Sequence, residues 1–109
     1  MAHERRKQLS EIMMLAWQFI KRNGYSLSEA LKVAWTNYKL KKALHNGITK
    51  FYFQKVDGSI REAFGTLKES LIPTTAGSER KKNDTVQVYY DSEREAWRCF
   101  KKANLISIA

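Results

Sequence analysis

From Leu9 to Leu44 the apolar residues recur with a period of about 3.6, the signature of amphipathic helix, and from Ile48 onward they alternate with a period of about 2, the signature of strand. The change falls at His45-Asn46-Gly47. It divides the chain into a helical N-terminal part, 1–47, and a β-rich part, 48–109. Each part is short for a core of its own, so the spacing predicts one domain over 1–109 in which the helices cover the sheet.

The first helix is expected from about Gln8 to Arg22, closed by Asn23-Gly24, because glycine enters the left-handed region that ends a helix at little cost. Ser26 followed by Glu29 has capping-box spacing and opens the second, which runs through Leu27, Ala30, Leu31, Ala34, Trp35 and Tyr38 to Asn46-Gly47. Together they make a helical hairpin. On a helical wheel the apolar arc of helix one runs from Leu15 through Phe19, Ile12, Ala16, Leu9, Ile20 and Met13 to Trp17, roughly 200° against the about 100° of an ordinary surface helix. Helix two is as wide, since Val33, Leu40 and Leu44 extend its Leu27/Leu31/Trp35 stripe. Each helix therefore wants two apolar neighbours. Helix one and the sheet can serve helix two, whereas the second neighbour of helix one can be another copy of the chain.

Ile48 to Val56 reads as a strand, Asp57-Gly58 as a hairpin turn, and Ser59 to Leu67 as the return strand. A two-residue loop would put Phe51, Phe53, Ile60 and Phe64 on one face and Lys50, Tyr52, Gln54 and Arg61 on the other. A three-residue loop with a glycine bulge would mix those faces, so the first register is expected. Pro73 ends the unit, and 74–84 is polar and basic, expected as a mobile loop. Val86 to Tyr90, Ala96 to Phe100 and Leu105 to Ile108 complete five short antiparallel strands. Such strands can curl into a small SH3-like or Sm-like barrel and so remove exposed edges. The fold class is α+β, a helical hairpin packed on a five-stranded antiparallel barrel.

Charge then narrows the partner. Twenty Lys and Arg against eleven Asp and Glu give a net charge of +9 in 109 residues, which favours a polyanion. The helical part carries +6 and the β part +3, and several helical cations (Lys21, Arg22, Lys39, Lys41, Lys42) also suit the ends of their helices. In the β part Lys50, Tyr52, Arg61, Tyr89, Trp97, Arg98, Lys101 and Lys102 interleave cations with aromatic rings, the residue types that track phosphates and stack on bases in barrels that hold single-stranded nucleic acid. DNA or RNA is thus the expected partner. A competing reading makes the chain a protein-interaction or assembly adaptor, or a homodimer, docking through Met13, Trp17 and Phe19 of helix one. The helices joined by Asn23-Gly24-Tyr25 could also form a helix-turn-helix, but that motif rests on a third helix that this pattern does not supply.

Catalytic chemistry is sparse. His3 and His45 have no partner at a local spacing, and neither a nucleophile elbow, a phosphate-binding glycine loop nor a metal-ligand spacing is present. No enzyme activity, cofactor or metal is expected. Cys99, the single cysteine, excludes an intrachain disulfide and reads as a small buried residue, while Asp91, Glu93 and Glu95 read as a solvated turn. No stretch reaches the roughly 20 apolar residues of a membrane span, and a cytoplasmic, membrane-free setting follows.

The segments KFYFQKVDGSIREAFGTLKESLIP and VYYDSEREAWRCFKKANLISI, preceded by SLSEALKVAWTNYKLKKALHNG, resemble a WYL-like family of small proteins with an Sm-like SH3 β-barrel, found in Bacteroidetes and their phages and mobile elements. DGSIREAFGTL and AWRCFK carry the likeness most specifically. It implies the barrel, a cytoplasmic setting and kinship with ligand- or nucleic-acid-sensing regulators. It supplies no catalytic residue, and the chain has no Trp-Tyr-Leu tripeptide from which a ligand site could be transferred.

Overall fold

The computed structural model describes residues 2–73 and 85–109, with side chains from residue 6 onward. Two helices, α1 (Ala2–Asn23) and α2 (Leu27–Asn46), precede strands β1 (Thr49–Gln54), β2 (Ile60–Thr66), β3 (Val86–Asp91), β4 (Ala96–Lys101) and β5 (Leu105–Ile108). Helix α1 begins at Ala2 rather than Gln8. It ends where expected, with Gly24 at φ 69° in the left-handed region. Ser26 caps α2: its hydroxyl oxygen accepts from the Glu29 amide at 3.2 Å and the same hydroxyl donates to the Glu29 carboxylate at 3.2 Å. The loop expected over 74–84 lies outside the described residues.

The strands form one antiparallel sheet in the order β4-β3-β2-β1-β5. Two strands separate β4 from β1, so in a flat sheet their side chains would stand roughly 14 Å apart. Yet the Phe100 ring of β4 lies 5.1 Å from Phe53 and 5.4 Å from Phe51 of β1. The sheet is therefore curled almost onto itself, helped by a register shift between Tyr52 and Phe53 that bends β1 against β5. It stops short of closure: β4 and β5 remain its two edges, joined by a 3-10 turn at Lys102–Asn104, so the expected removal of edges is incomplete.

Inside the curl Phe51, Phe53, Ala63, Tyr89, Phe100 and Leu105 meet Leu40 and Leu44 of α2. A second cluster holds the hairpin together through Ile12, Ala16 and Phe19 of α1 against Ala30 and Ala34 of α2, and Ala103 of the turn before β5 joins it. Helix α2 is also tied to the barrel by hydrogen bonds. The Leu44 carbonyl accepts from the Leu67 amide at 2.8 Å and the Thr66 hydroxyl at 3.2 Å, and the buried Asn37 amide donates to the Lys102 carbonyl at 2.8 Å. Tyr25, in the turn between the helices, donates to the Ala103 carbonyl at 2.6 Å. These bonds make the joint at Asn46-Gly47 a fixed one.

The β1–β2 register differs from the expected one. Gly58 donates to the Lys55 carbonyl at 2.9 Å and Lys55 to the Ser59 carbonyl at 2.7 Å, which leaves Val56, Asp57 and Gly58 as a three-residue loop with Gly58 left-handed at φ 92°. Every pairing slips by one, so that Phe51 faces Ala63 and Phe53 faces Arg61. Ile60, 68% exposed, and Phe64 then share the outer face with Lys50 and Tyr52, while Arg61 turns inward. Space explains the choice. A Cβ on Gly65 would come within 2.5 Å of the Tyr89 ring and 3.3 Å of Phe51, so the narrow interior accepts Ala63 and Gly65 where Phe64 could not fit.

Candidate nucleic-acid interface

Of the eight cationic and aromatic residues singled out in the β part, the fold gathers five. A cleft of about 800 Å³ is lined by Arg61, Tyr89, Trp97, Arg98 and Lys101. Successive residues Trp97 through Lys101 all reach it, although neighbours in a strand point to opposite faces, so its wall is the free edge of β4. Phe53 through Asp57, the end of β1 and its turn, form the opposite wall. The cleft is the seam where the sheet fails to close.

Its charge is organised by Asp91. This residue was expected in a solvated turn, but it is 1% exposed. One carboxylate oxygen accepts from the Glu93 and Arg94 amides at 3.0 and 3.1 Å and holds the turn between β3 and β4. The other lies 3.2 Å from Arg61 Nη2 and 3.8 Å from Arg98 Nε. The pairing of β2 with β3 places Asp91 opposite Gly65, where burial with two guanidinium partners is possible. Two buried side-chain donors among the described residues have no acceptor, Arg61 Nε and Trp97 Nε1, and both residues line the seam. Trp97 stands half-buried with its ring edge-on to Tyr90 at 5.7 Å.

Three of the eight lie elsewhere. Lys50 and Tyr52 occupy the outer face of β1, where the Lys50 ammonium sits 3.6 Å from Glu62 and 5.8 Å from the centres of the Tyr52 and Phe64 rings. Hydrogen bonding to Tyr52, then attraction to Glu62, raises the Lys50 pKa above its ordinary value. Lys102 borders a separate groove of about 290 Å³ between the helices and the sheet. Tyr89, at 1% exposure, is a core ring that cannot stack on a base, and its burial pushes the phenol pKa up to about 12.

Two further expectations change. Cys99 is exposed on the β4 edge rather than buried, since the alternation that turns Phe100 inward turns Cys99 out. Phe19 is 1% exposed inside the helical hairpin, so only Met13 and Trp17 of the expected docking face reach solvent. Sequence reasoning missed Lys55, Val86, Val88 and Asn104 in the seam. Val86 and Val88 pair directly with Lys101 and Cys99 across β3 and β4, and Asn104 lies in the turn that follows β4, whereas only the curl brings Lys55 to this edge, which no local spacing signals. Among the described residues no cluster of His, Cys, Asp and Glu could hold a metal ion, and no helix is long and apolar enough to cross a membrane.

An uncharacterised 11.5 kDa protein from the gp31–cd intergenic region of enterobacteria phage T4 is 35% identical over 75 residues, covering 63% of this chain and 72% of that protein. No solved structure matches. A family model described as WYL_2, Sm-like SH3 beta-barrel fold, matches residues 37–106, from the middle of α2 into β5. The curled five-stranded sheet, its 3-10 turn and this match agree, and the chain belongs to the WYL_2 family of Sm-like SH3 β-barrels.

Proposed function

We propose that the protein is a non-enzymatic binding module that holds single-stranded nucleic acid in the seam between β4 and the β1–β2 turn. The observation that carries this reading is the composition of the seam: Lys55, Arg61, Arg98 and Lys101 against Asp57 in the lining and Asp91 behind the two arginines, around an apolar floor that includes Phe53 and Phe100. Two buried donors there, Arg61 Nε and Trp97 Nε1, await acceptors. A phosphate-linked chain supplies acceptors and anions, and an unpaired base supplies a flat apolar ring for Trp97. A duplex offers its bases only at groove edges, so a half-open slot of this size suits a single strand better. Lys50 and Tyr52 lie on the other side of β1, outside the seam. A cytoplasmic setting in Bacteroidetes or their mobile elements goes with it, and the phage relative supports the mobile-element part.

Fluorescence titration with single-stranded DNA and RNA at several salt concentrations tests the proposal. Affinity should fall with salt, with a log–log slope of roughly −0.7 per neutralised phosphate. Trp97→Ala should weaken binding by about 1–3 kcal/mol, the usual worth of a stacked base. No binding at low salt, or binding unchanged by Trp97→Ala and Arg98→Gln together, would refute it.

A further inference from the structure

The helical hairpin has a face that the barrel does not use. Helix α1 packs on α2, and α2 packs on the sheet, so α1 is the outer layer. Each helix carries an apolar stripe at i, i+4 and i+8: Leu9, Met13 and Trp17 on α1, Leu27, Leu31 and Trp35 on α2. Each stripe lies on the same rotational side of the residues that join the helices, Ile12 and Ala16 on one, Ala30 and Ala34 on the other. Because the helices run antiparallel, both stripes face the same way. Asn37, Leu40 and Leu44, which meet the barrel, lie on the opposite rotational side. The stripes therefore form one two-helix surface directed away from the barrel, with Trp17 53% and Trp35 38% exposed.

The charges around this surface are of one sign. The next residue along each stripe at i+4 is a lysine, Lys21 on α1 and Lys39 on α2, and Arg6, Lys32 and Lys42 lie beside them. Glu11 and Glu29 lie about 120° farther round their helices than Trp17 and Trp35. None of the ion pairs among the described residues falls on the hairpin. A second copy docked through a two-fold axis would bring these cations against one another without carboxylates between them. The complementary occupant is apolar along one stripe and acidic on its flanks.

We infer that this face docks an acidic amphipathic helix of a partner protein, which lies in the groove between α1 and α2 and completes a three-helix bundle. The two tryptophans are the anchors, as large aromatic side chains at the centre of an interface usually are. Lys21, Lys32, Lys39 and Arg6 pair with carboxylates at the rim and set the choice of partner. This function is separate from nucleic-acid binding in the seam.

The test uses the whole protein and three synthetic peptides of about 18 residues, long enough to hold a helix. One has leucines at i, i+3, i+4 and i+7 with glutamates elsewhere, the second scrambles that composition, and the third keeps the leucines but replaces glutamate with lysine. Calorimetry and tryptophan fluorescence should show one acidic amphipathic peptide bound per chain, with the scrambled and lysine peptides at least about tenfold weaker. Trp17→Ala and, independently, Lys39→Glu should each lower the affinity about tenfold while circular dichroism and affinity for single-stranded DNA stay unchanged. Four results would overturn the inference: equal binding of the scrambled peptide, equal binding of the lysine peptide, no binding of any peptide, or a dimer of the protein alone that Trp17→Glu dissociates. Binding to vesicles of anionic lipid without binding to the acidic peptide would overturn it as well.

Discussion

The two helices have nearly the same length and equally wide apolar arcs, yet they do different work. Helix α2 buries Leu40 and Leu44 completely against the barrel and gives hydrogen-bond partners to β2 and to the turn before β5. Helix α1 buries Ile12, Ala16 and Phe19 against α2 and leaves Leu9, Met13 and Trp17 partly exposed. An apolar arc thus reports how many neighbours a helix can accept, and the barrel supplies only one of the four sides that two such helices offer. The family match begins at Asn37, within the part of α2 that meets the barrel.

Paired truncations should show the contrast most strongly. Leu40→Ala opens a cavity in a site with no exposure, and the lost transfer energy plus the void should cost about 2–5 kcal/mol. Trp17→Ala removes a larger side chain from an exposed stripe and should change stability by no more than about 0.5 kcal/mol. Denaturant unfolding of both variants measures this directly. A similar cost for both would mean that α1 has a partner in solution and that its exposed stripe is covered.

A second effect, somewhat smaller, separates barrel from hairpin by pH. The buried Tyr89 phenol has its pKa pushed up to about 12 from an ordinary 10, chiefly by burial. The folded state therefore holds this proton after the unfolded state has lost it. The neutral phenol contributes stability that is fully present below pH 10 and is lost as pH rises toward 12, a change of about 2–3 kcal/mol from the two-unit difference. Tyr89→Phe should flatten that alkaline limb. If the limb is unchanged, the alkaline sensitivity lies elsewhere.

The same contrast bears on what the sequence could reveal. The turn between the helices, the strand positions and the five-stranded antiparallel class follow from local signals: Gly24, the Ser26 cap, Asp57-Gly58 and the period-2 runs; the start of α1, six residues before the expected Gln8, does not. Register does not. A two-residue and a three-residue loop at Asp57-Gly58 are both compatible with the local chemistry, and the choice rests on Tyr89, whose ring needs Gly65 beneath it. That one-residue slip moved Arg61 from the outer face to Asp91 and so moved the centre of the candidate site. Asp91 itself looked solvated because its guanidinium partners come from β2 and β4. Trp97, Arg98 and Lys101 were legible as residue types. The seam that joins them to Lys55 exists only once the sheet is curled.

The smallest predicted effect concerns the polar link between α2 and the barrel. Asn37 Nδ2 donates to the Val33 carbonyl at 2.9 Å within its own helix and to the Lys102 carbonyl at 2.8 Å across the joint. Asn37→Leu keeps a side chain of suitable size but removes the donor, and a buried carbonyl left without its partner costs about 1–2 kcal/mol. In a domain of this size that is a fall in Tm of about 4–8 °C per kcal/mol. Where the loss appears matters more than its size. If the joint and the hairpin are energetically separate, amide exchange should quicken around Ala103–Leu105 while α1 keeps its protection, because α1 rests chiefly on Ala30 and Ala34, although Ala103 belongs to the same buried cluster. Equal loss of protection in α1 would show that the two helices and the barrel open as one unit, and the different roles assigned to α1 and α2 would then hold for their contacts but not for their stability.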